Sequence, residues 1–557
     1  MFKRTMLLLL PLLFDTYSLQ AQPDPLSGQW EGNFMEDFRT LLDITSPSAG
    51  VYSGTIRMFS GPQMIQNDPL DEIRVTGLEL TFLIPAKETS FKGRIDEDSI
   101  TLSGQFLFPD GSEHPLVLIR RSNVLGNAMP ERTENESGYR DYAERQLTPA
   151  EMREDLRYLV GSLRQHHPRL YSYTQETTAN RLVDSLMESL NEPLVIDEFF
   201  RRIAPVTDAV HCSHTGIRLP ADYRKMVGQY GKFLPLRVLC RPEEMMLIGS
   251  EGSSGSTIPP GTRIISINGI PSRKILDELL PLVPSEGNNQ TTKWLLLSKR
   301  FAWYYHTLDP SAEFTVEFDL PGTREKVLYR ACNLQPAEPA PAAPDGPVPL
   351  SFRMTSSGKT GILKMPSMAV MDMEGYMAEL QRIFIQLSGQ KVSHLILDLR
   401  GNEGGHPIFA AQLLSYLVHE EFTYFRQNPD APEFEPLYHP MSPDSHAYSG
   451  DLIVLVDGGC LSTTGHLISL IGFHTQALFA GEDPGSSFRC NDHSIQLRLP
   501  NSGIEANIPR ITFETAVNPP ADEEDFKVDL PVSPDPEDLA SGTDRTLLTC
   551  LERIGDT

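Results

Sequence analysis

Leu395-Ile-Leu-Asp-Leu-Arg-Gly-Asn-Glu-Gly-Gly405 is an apolar run that ends abruptly in a glycine-rich turn. From His394 to Asp398 it lacks the in–out alternation of a half-solvated strand, so it reads as a strand buried on both faces. Leu452-Ile-Val-Leu-Val456 repeats the pattern and continues through Asp457, Gly458, Gly459 and Cys460 into Leu461-Ser-Thr-Thr-Gly-His466, the start of a helix. Helical spacing covers Glu374 to Leu387, Ile408 to Leu417 and Thr463 to Ile471, and Gly361-Ile-Leu-Lys364 and Ala477-Leu-Phe-Ala480 add two strands. Alternation of this kind predicts an α/β core with a mainly parallel sheet over residues 351–557.

Ser462 falls where strand and turn give way to helix. There its hydroxyl meets unpaired N–H groups and the positive end of the helix dipole, which favour a developing anion. The Thr463 amide and an amide of the Gly404-Gly405 turn are the natural oxyanion donors. The plainer role for such a serine is a helix N-cap.

Taken together, the two segments resemble the core of the C-terminal processing (tail-specific) and tricorn-type serine peptidases. In that family a D-L-R-x-N-x-G-G turn precedes a strand–turn–serine–helix, and a further glycine turn follows, here Gly481-Glu-Asp-Pro-Gly485. The resemblance runs from about Leu147 to the C-terminus. It implies hydrolysis of peptide bonds through an acyl-enzyme on Ser462, with a polypeptide substrate and no metal or organic cofactor.

The tail-specific branch pairs its serine with a lysine roughly two dozen residues downstream. Between Ser462 and Lys527 there is no lysine, and Ser487 stands where it would fall. The tricorn-type branch instead uses a histidine preceded by a serine. Cys212-Ser-His-Thr215 occupies the matching place, which implies His214 as general base and Ser213 as its auxiliary serine. His466, one helical turn after Ser462, and His211 and His406 are the competing histidines. The resemblance puts an acid near Pro531-Val-Ser-Pro-Asp535; strict alignment gives Val528, with Asp529 adjacent and Glu523, Glu524 and Asp525 nearby. Asp529 is the candidate, and the acidic run also reads as a solvated loop. His211, Cys212 and His214 alone make no metal site.

Upstream, residues 24–125 read as all-β, a small lipocalin-like barrel or sandwich opening on Leu26-Ser-Gly-Gln-Trp-Glu-Gly32, with Trp30 packing its end. A polar stretch from Pro130 to Arg145 reads as a linker. Thr148-Pro-Ala-Glu151 forms a capping box that starts a helical module, residues 147–225, with Met152, Leu156, Leu159, Val160 and Leu163 on one face. Residues 230–320 resemble part of a PDZ-like domain, in which the turn–strand–turn Pro260 to Gly269 precedes a helix from Ser272 to Leu280. Residues 333–350 are a proline-rich linker.

At 557 residues the chain needs several cores. Its formal net charge of -26 opposes nucleic-acid and anionic-membrane binding. Lys3 and Arg4, the apolar run Met6 to Phe14, and Ala21-Gln22 read as a signal peptide over residues 1–21, so a periplasmic or extracellular protein is expected. The six cysteines, with no C-x-x-C pair, support neither a zinc site nor a disulfide framework. The alternatives to a peptidase are a catalytically silent ligand- or peptide-binding protein on the same scaffold, and an acyl-transfer enzyme acting on a non-peptide ester.

Overall fold

The computed structural model describes residues 28–556 apart from 35–37, 49–50, 61–62, 96–100, 110, 122–135, 251–257, 334–349, 370–371, 429 and 518–525. The apolar N-terminal run, most of the proline-rich stretch, and Glu523, Glu524 and Asp525 lie outside the described residues. The chain divides into two compact units, Met1–Glu131 and Arg132–Thr557.

In the first unit, nine strands from Gly28–Phe34 to Glu113–Arg121 form one antiparallel sheet. The first four lead away from Gly28–Phe34, the last five return to Glu113–Arg121, and those two strands pair, Trp30 opposite Arg120. Alternate residues turn inward, as in the strand Thr89–Ile95. One core gathers Trp30, Leu42, Ile56, Phe82, Phe91 and Phe106, and Trp30 is fully buried in it. Gly93 and Gly104 face each other in register, and a Cβ on either would strike the Phe91 ring, so glycine at both lets that ring lie across the strands.

The second unit opens differently from the linker expected at 130–145. Glu136–Ala143 is a helix, anchored by Tyr142, which is buried with its ring 4.7 Å from that of Tyr223. Aromatic contact outweighs the polar composition of the segment. The expected capping box is present: Thr148 accepts from Glu151 N while the Glu151 carboxylate takes Thr148 N at 2.7 Å. The helix Pro149–His166 buries Met152, Leu156, Leu159, Val160 and Leu163, and helices Glu176–Ser189 and Ile196–Asp208 follow.

Five antiparallel strands come next, Leu236–Arg241, Glu244–Ser250, Arg263–Ile267, Glu313–Leu320 and Thr323–Arg330, adjacent in that order. The helices Ser272–Leu279, Thr291–Lys299 and Phe301–Leu308 lie in the chain between the third and fourth strands.

The C-terminal sheet has six strands in the order Ser351–Met354, Thr360–Lys364, His394–Asp398, Asp451–Val456, Leu478–Gly481, Leu530–Pro531. Only the first pair is antiparallel. Leu395 and Leu397 join a large core that also takes residues of helices Met373–Gly389, Pro407–Ser415 and Thr463–His474. Ile396 joins the opposite core, where Cys550 of the helix Arg545–Arg553 packs. Cores on both sides explain why this strand is apolar without alternation. Among the described residues no helix is long and apolar enough to cross a membrane, and all six cysteines are free thiols.

Candidate active site

The strand–turn–helix around Ser462 is held by the preceding glycine turn. Asp457 Oδ1 accepts the N–H groups of Gly401 (2.8 Å) and Gly459 (2.9 Å), and Leu461 N donates to Asn402 O at 3.1 Å. Arg400 makes paired hydrogen bonds to Asp398 and to Asp544, each 2.7–2.8 Å, which locks the strand end to the last helix. Ser462 itself has φ +53° and ψ -125°, an uncommon conformation for a residue with a side chain. Its side chain makes no N-capping bond, and Ser462 is only 8% exposed. A strained serine that does not cap its helix is better explained by a site than by local structure.

Thr463 donates its hydroxyl to Gly405 O, drawing the helix start onto the glycine turn. Gly404, at φ +98°, lies so close that a Cβ on it would come within 3.0 Å of Ser462 Cβ and Thr463 N. Gly405, at φ +141°, runs against the backbone of Met368, where a Cβ could not fit. Asn402, fully buried, donates to Met365 O at 2.9 Å and accepts from Gly404 N at 2.9 Å. Of the two amides expected as oxyanion donors in this turn, Gly404's is therefore engaged. The Gly405 and Thr463 N–H groups donate none of the hydrogen bonds that hold the turn and the helix start.

The histidine segment, far away in the chain, meets the strand Arg489–Asp492. His214 has Ser213 Oγ 3.2 Å from Nδ1 and Asp492 Oδ2 3.7 Å from Nε2. Ser462 lies within reach of the buried Cys490 thiol, which burial and then Asp492 push well up, Ser462 acting in the opposite sense. Cys490 and Asp492 stand on one strand, Arg489–Asp492, which puts Asp492 beside His214 and Cys490 within reach of Ser462. His214 also lies within electrostatic reach of His466.

The carboxylate behind His214 is one the sequence did not indicate. Glu286, 8% exposed, accepts Ser213 Oγ at 2.7 Å and Ser213 N at 3.0 Å, both on Oε2. Burial pushes its pKa up, and the two Ser213 hydrogen bonds and the His214 charge pull it back. Its loop is stapled to the histidine segment: Gly287 N donates to His211 O at 3.0 Å, and His211 Nδ1 lies 2.7 Å from Gly287 O. The same loop is tied to the serine side by Asn289, which donates to Pro484 O at 2.7 Å, and by Thr292, which donates to Gly458 O at 2.7 Å.

Asp529 is not brought to the histidine. Its carboxylate accepts Phe479 N at 2.9 Å and its N–H donates to Phe479 O at 3.0 Å, so it closes the end of the strand Leu478–Gly481. Val528 packs against the large core. His466 is 2% exposed with neither ring nitrogen hydrogen-bonded, edge-on to Phe425. Burial drives its pKa down to about 3, so it is a neutral core ring. His211 is occupied by Gly287, and His406 Nδ1 accepts Ile408 N at 3.2 Å. No periodicity or motif spacing points to Glu286, an isolated acid in the loop before the helix Thr291–Lys299.

The sequence from 359 to 504 matches the family model of peptidase family S41. The span contains both deciding motifs. Among solved structures, mature CPAF aligns at 14% identity with a TM-score of 0.51, over 73% of this chain and 97% of that one. Mature CPAF complexed with lactacystin aligns at 13% identity with a TM-score of 0.53, over 73% and 98%. The photosystem II D1 C-terminal processing protease aligns at 13% identity with a TM-score of 0.37, over 69% and 94%. At such identities the CPAF likeness speaks for the fold. None of the curated proteins matches.

Proposed function

From a core that carries the peptidase family S41 signature over residues 359–504, we propose that this chain is an exported serine peptidase that cleaves peptide bonds through an acyl-enzyme on Ser462. His214 takes the Ser462 proton as the hydroxyl attacks the scissile carbonyl, then returns it to the leaving amine. The Ser462 hydroxyl turns to the His214 ring for this step, a tightening expected when substrate binds. The Thr463 and Gly405 amides receive the oxyanion at the helix start. Ser213, bonded to Glu286, holds the ring by Nδ1 and passes the carboxylate's field to the imidazolium that forms. The sheet of residues 236–330, with its PDZ-like order of strand, turn and helix, presents or gates the extended peptide.

The observation that carries this reading is the hydrogen-bonded chain Glu286–Ser213–His214, with Asp492 facing the other side of the ring. Labelling with a serine-hydrolase fluorophosphonate tests it. Wild-type protein is expected to be modified at Ser462, with Ser462→Ala silent and His214→Ala slowed at least about a thousandfold. A folded wild-type protein that never reacts would overturn the assignment.

A further inference from the structure

His214 presents its two ring nitrogens to different neighbours. Nδ1 lies 3.2 Å from Ser213 Oγ, and the main-chain oxygen of His214 accepts Asn507 Nδ2, so ring and backbone are both held. Nε2, the atom that must pass a proton from Ser462 to the leaving group, faces Asp492 Oδ2 at 3.7 Å. That separation is too long for a hydrogen bond between the two. It leaves room for a third atom: a nitrogen about 3 Å from Nε2 can stand about 3 Å from Oδ2 as well.

Asp492 is held in position while its carboxylate stays accessible. Its strand pairs with Ile511–Glu514, Asp492 O accepts Arg510 N at 3.0 Å, and Oδ1 accepts the Ser494 hydroxyl at 3.3 Å, which leaves Oδ2 for the site. Cys490 and Asp492, two residues apart on one strand, share a face, and Cys490 is within reach of Ser462. This face therefore follows the line from nucleophile to base. The Asp492 side chain is 46% exposed, so a substrate can reach it, and among the described residues its one ion-pair partner is His214. Neighbouring donors are turned elsewhere: Arg489 to Glu514, Arg510 to His493 O, and His493 to Glu433. Glu286 acts on the ring from the Nδ1 side, through Ser213.

We propose that Asp492 accepts the N–H of the scissile amide and thereby selects amides over esters. The inference rests on the catalytic reading given above and concerns the leaving-group side of the same site. As the Ser462 oxygen bonds to the carbonyl carbon, its proton passes to Nε2 and the planar amide nitrogen becomes pyramidal. For the C–N bond to break, the nitrogen lone pair must point at the imidazolium and take that proton. A carboxylate that holds the N–H on its own side sets the lone pair towards Nε2. The nitrogen departs as an amine bearing its original hydrogen and the one from Ser462, and Asp492 ends with the charge it began with. An ester oxygen has no hydrogen to donate and meets the carboxylate as a second acceptor. The group that helps an amide therefore hinders an ester.

The test uses the full-length mature protein. Fluorophosphonate labelling at Ser462 reports the catalytic reading by itself, because fluoride leaves without any N–H. In parallel, kcat/KM is measured for a panel of N-acetyl tripeptide p-nitroanilides and the matching p-nitrophenyl esters, with wild type, Asp492→Asn and Asp492→Ala. Asp492→Ala is expected to lower the anilide-to-ester ratio at least about tenfold, and Asp492→Asn, which keeps a neutral acceptor, by less. A substitution that only loosens the strand or weakens the imidazole slows labelling, anilide and ester alike. A ratio unchanged in both variants therefore overturns the proposal and leaves the nucleophile standing. A labelled wild type that turns over the esters and none of the anilides does the same. A wild type unlabelled at Ser462 overturns both.

Discussion

The Ser213 hydroxyl donates to Glu286 Oε2 at 2.7 Å although 73 positions of chain separate them, and the same hydroxyl sits 3.2 Å from His214 Nδ1. One serine thus joins a buried acid to an imidazole that has no carboxylate of its own on that side. Glu286→Gln and Ser213→Ala are each expected to slow Ser462 labelling by about 10- to 100-fold, with the double variant hardly worse than either single one. Burial raises Glu286, so wild-type rate should fall as pH drops through the raised pKa and the carboxylate takes up a proton. The glutamine variant, which cannot take up that proton, should lose this limb of the rate–pH profile. An unchanged limb would mean that Glu286 is only structural.

Asp529, the candidate acid next to the aligned Val528, bonds the backbone of Phe479 instead. Asp529→Asn should therefore leave the labelling rate within about twofold of wild type and lower stability by about 1 kcal/mol, read by denaturant titration. A large loss of labelling with normal stability would return Asp529 to the catalytic apparatus.

His466 offers two buried ring nitrogens with no partner, so its replacement by an apolar ring of similar shape should help. His466→Phe is expected to raise Tm and to retain labelling. The sign of its pH dependence follows from the lowered pKa. An unfolded histidine titrates near 6.5, the folded one at about 3, so the wild type loses stability as pH falls through that interval. The advantage of the variant should widen between about pH 7 and pH 4. Thermal melts at stepped pH measure it.

Gly405→Ala should abolish labelling, because a Cβ at φ +141° meets the Met368 backbone and displaces the amide proposed to receive the oxyanion. Asn402→Ala leaves Met365 O and Gly404 N without their buried partner and should destabilise the protein by about 2 kcal/mol. Labelling should fall together with that stability loss.

What could be read in the sequence was whatever is local. The run Leu395 to Leu399 announces a doubly covered strand because each face meets its own core, and Thr148 with Glu151 announces a helix because both ends of the capping box lie within one turn. Ser462 was legible for the same reason, a strand, turn and helix in one short segment. The Glu136–Ala143 helix was hidden because its anchors, Tyr223 and Tyr230, are supplied by another helix. Glu286 was hidden more deeply. Its role depends on a loop crossing to His211 and Ser213, and no periodicity or spacing records such a crossing.

The staple between His211 and Gly287 has a temporal consequence. His214, Glu286 and Ser462, the proposed base, acid and nucleophile, leave the ribosome in that order, and the stretch that follows Glu286 must also close on Gly458 and Pro484 before the three groups share a site. On the proposed reading, a chain still being made carries all the residues of the site and none of its activity. Competence then arrives last, as a property of the finished tertiary structure, and labelling at Ser462 would serve as a sensor of complete folding.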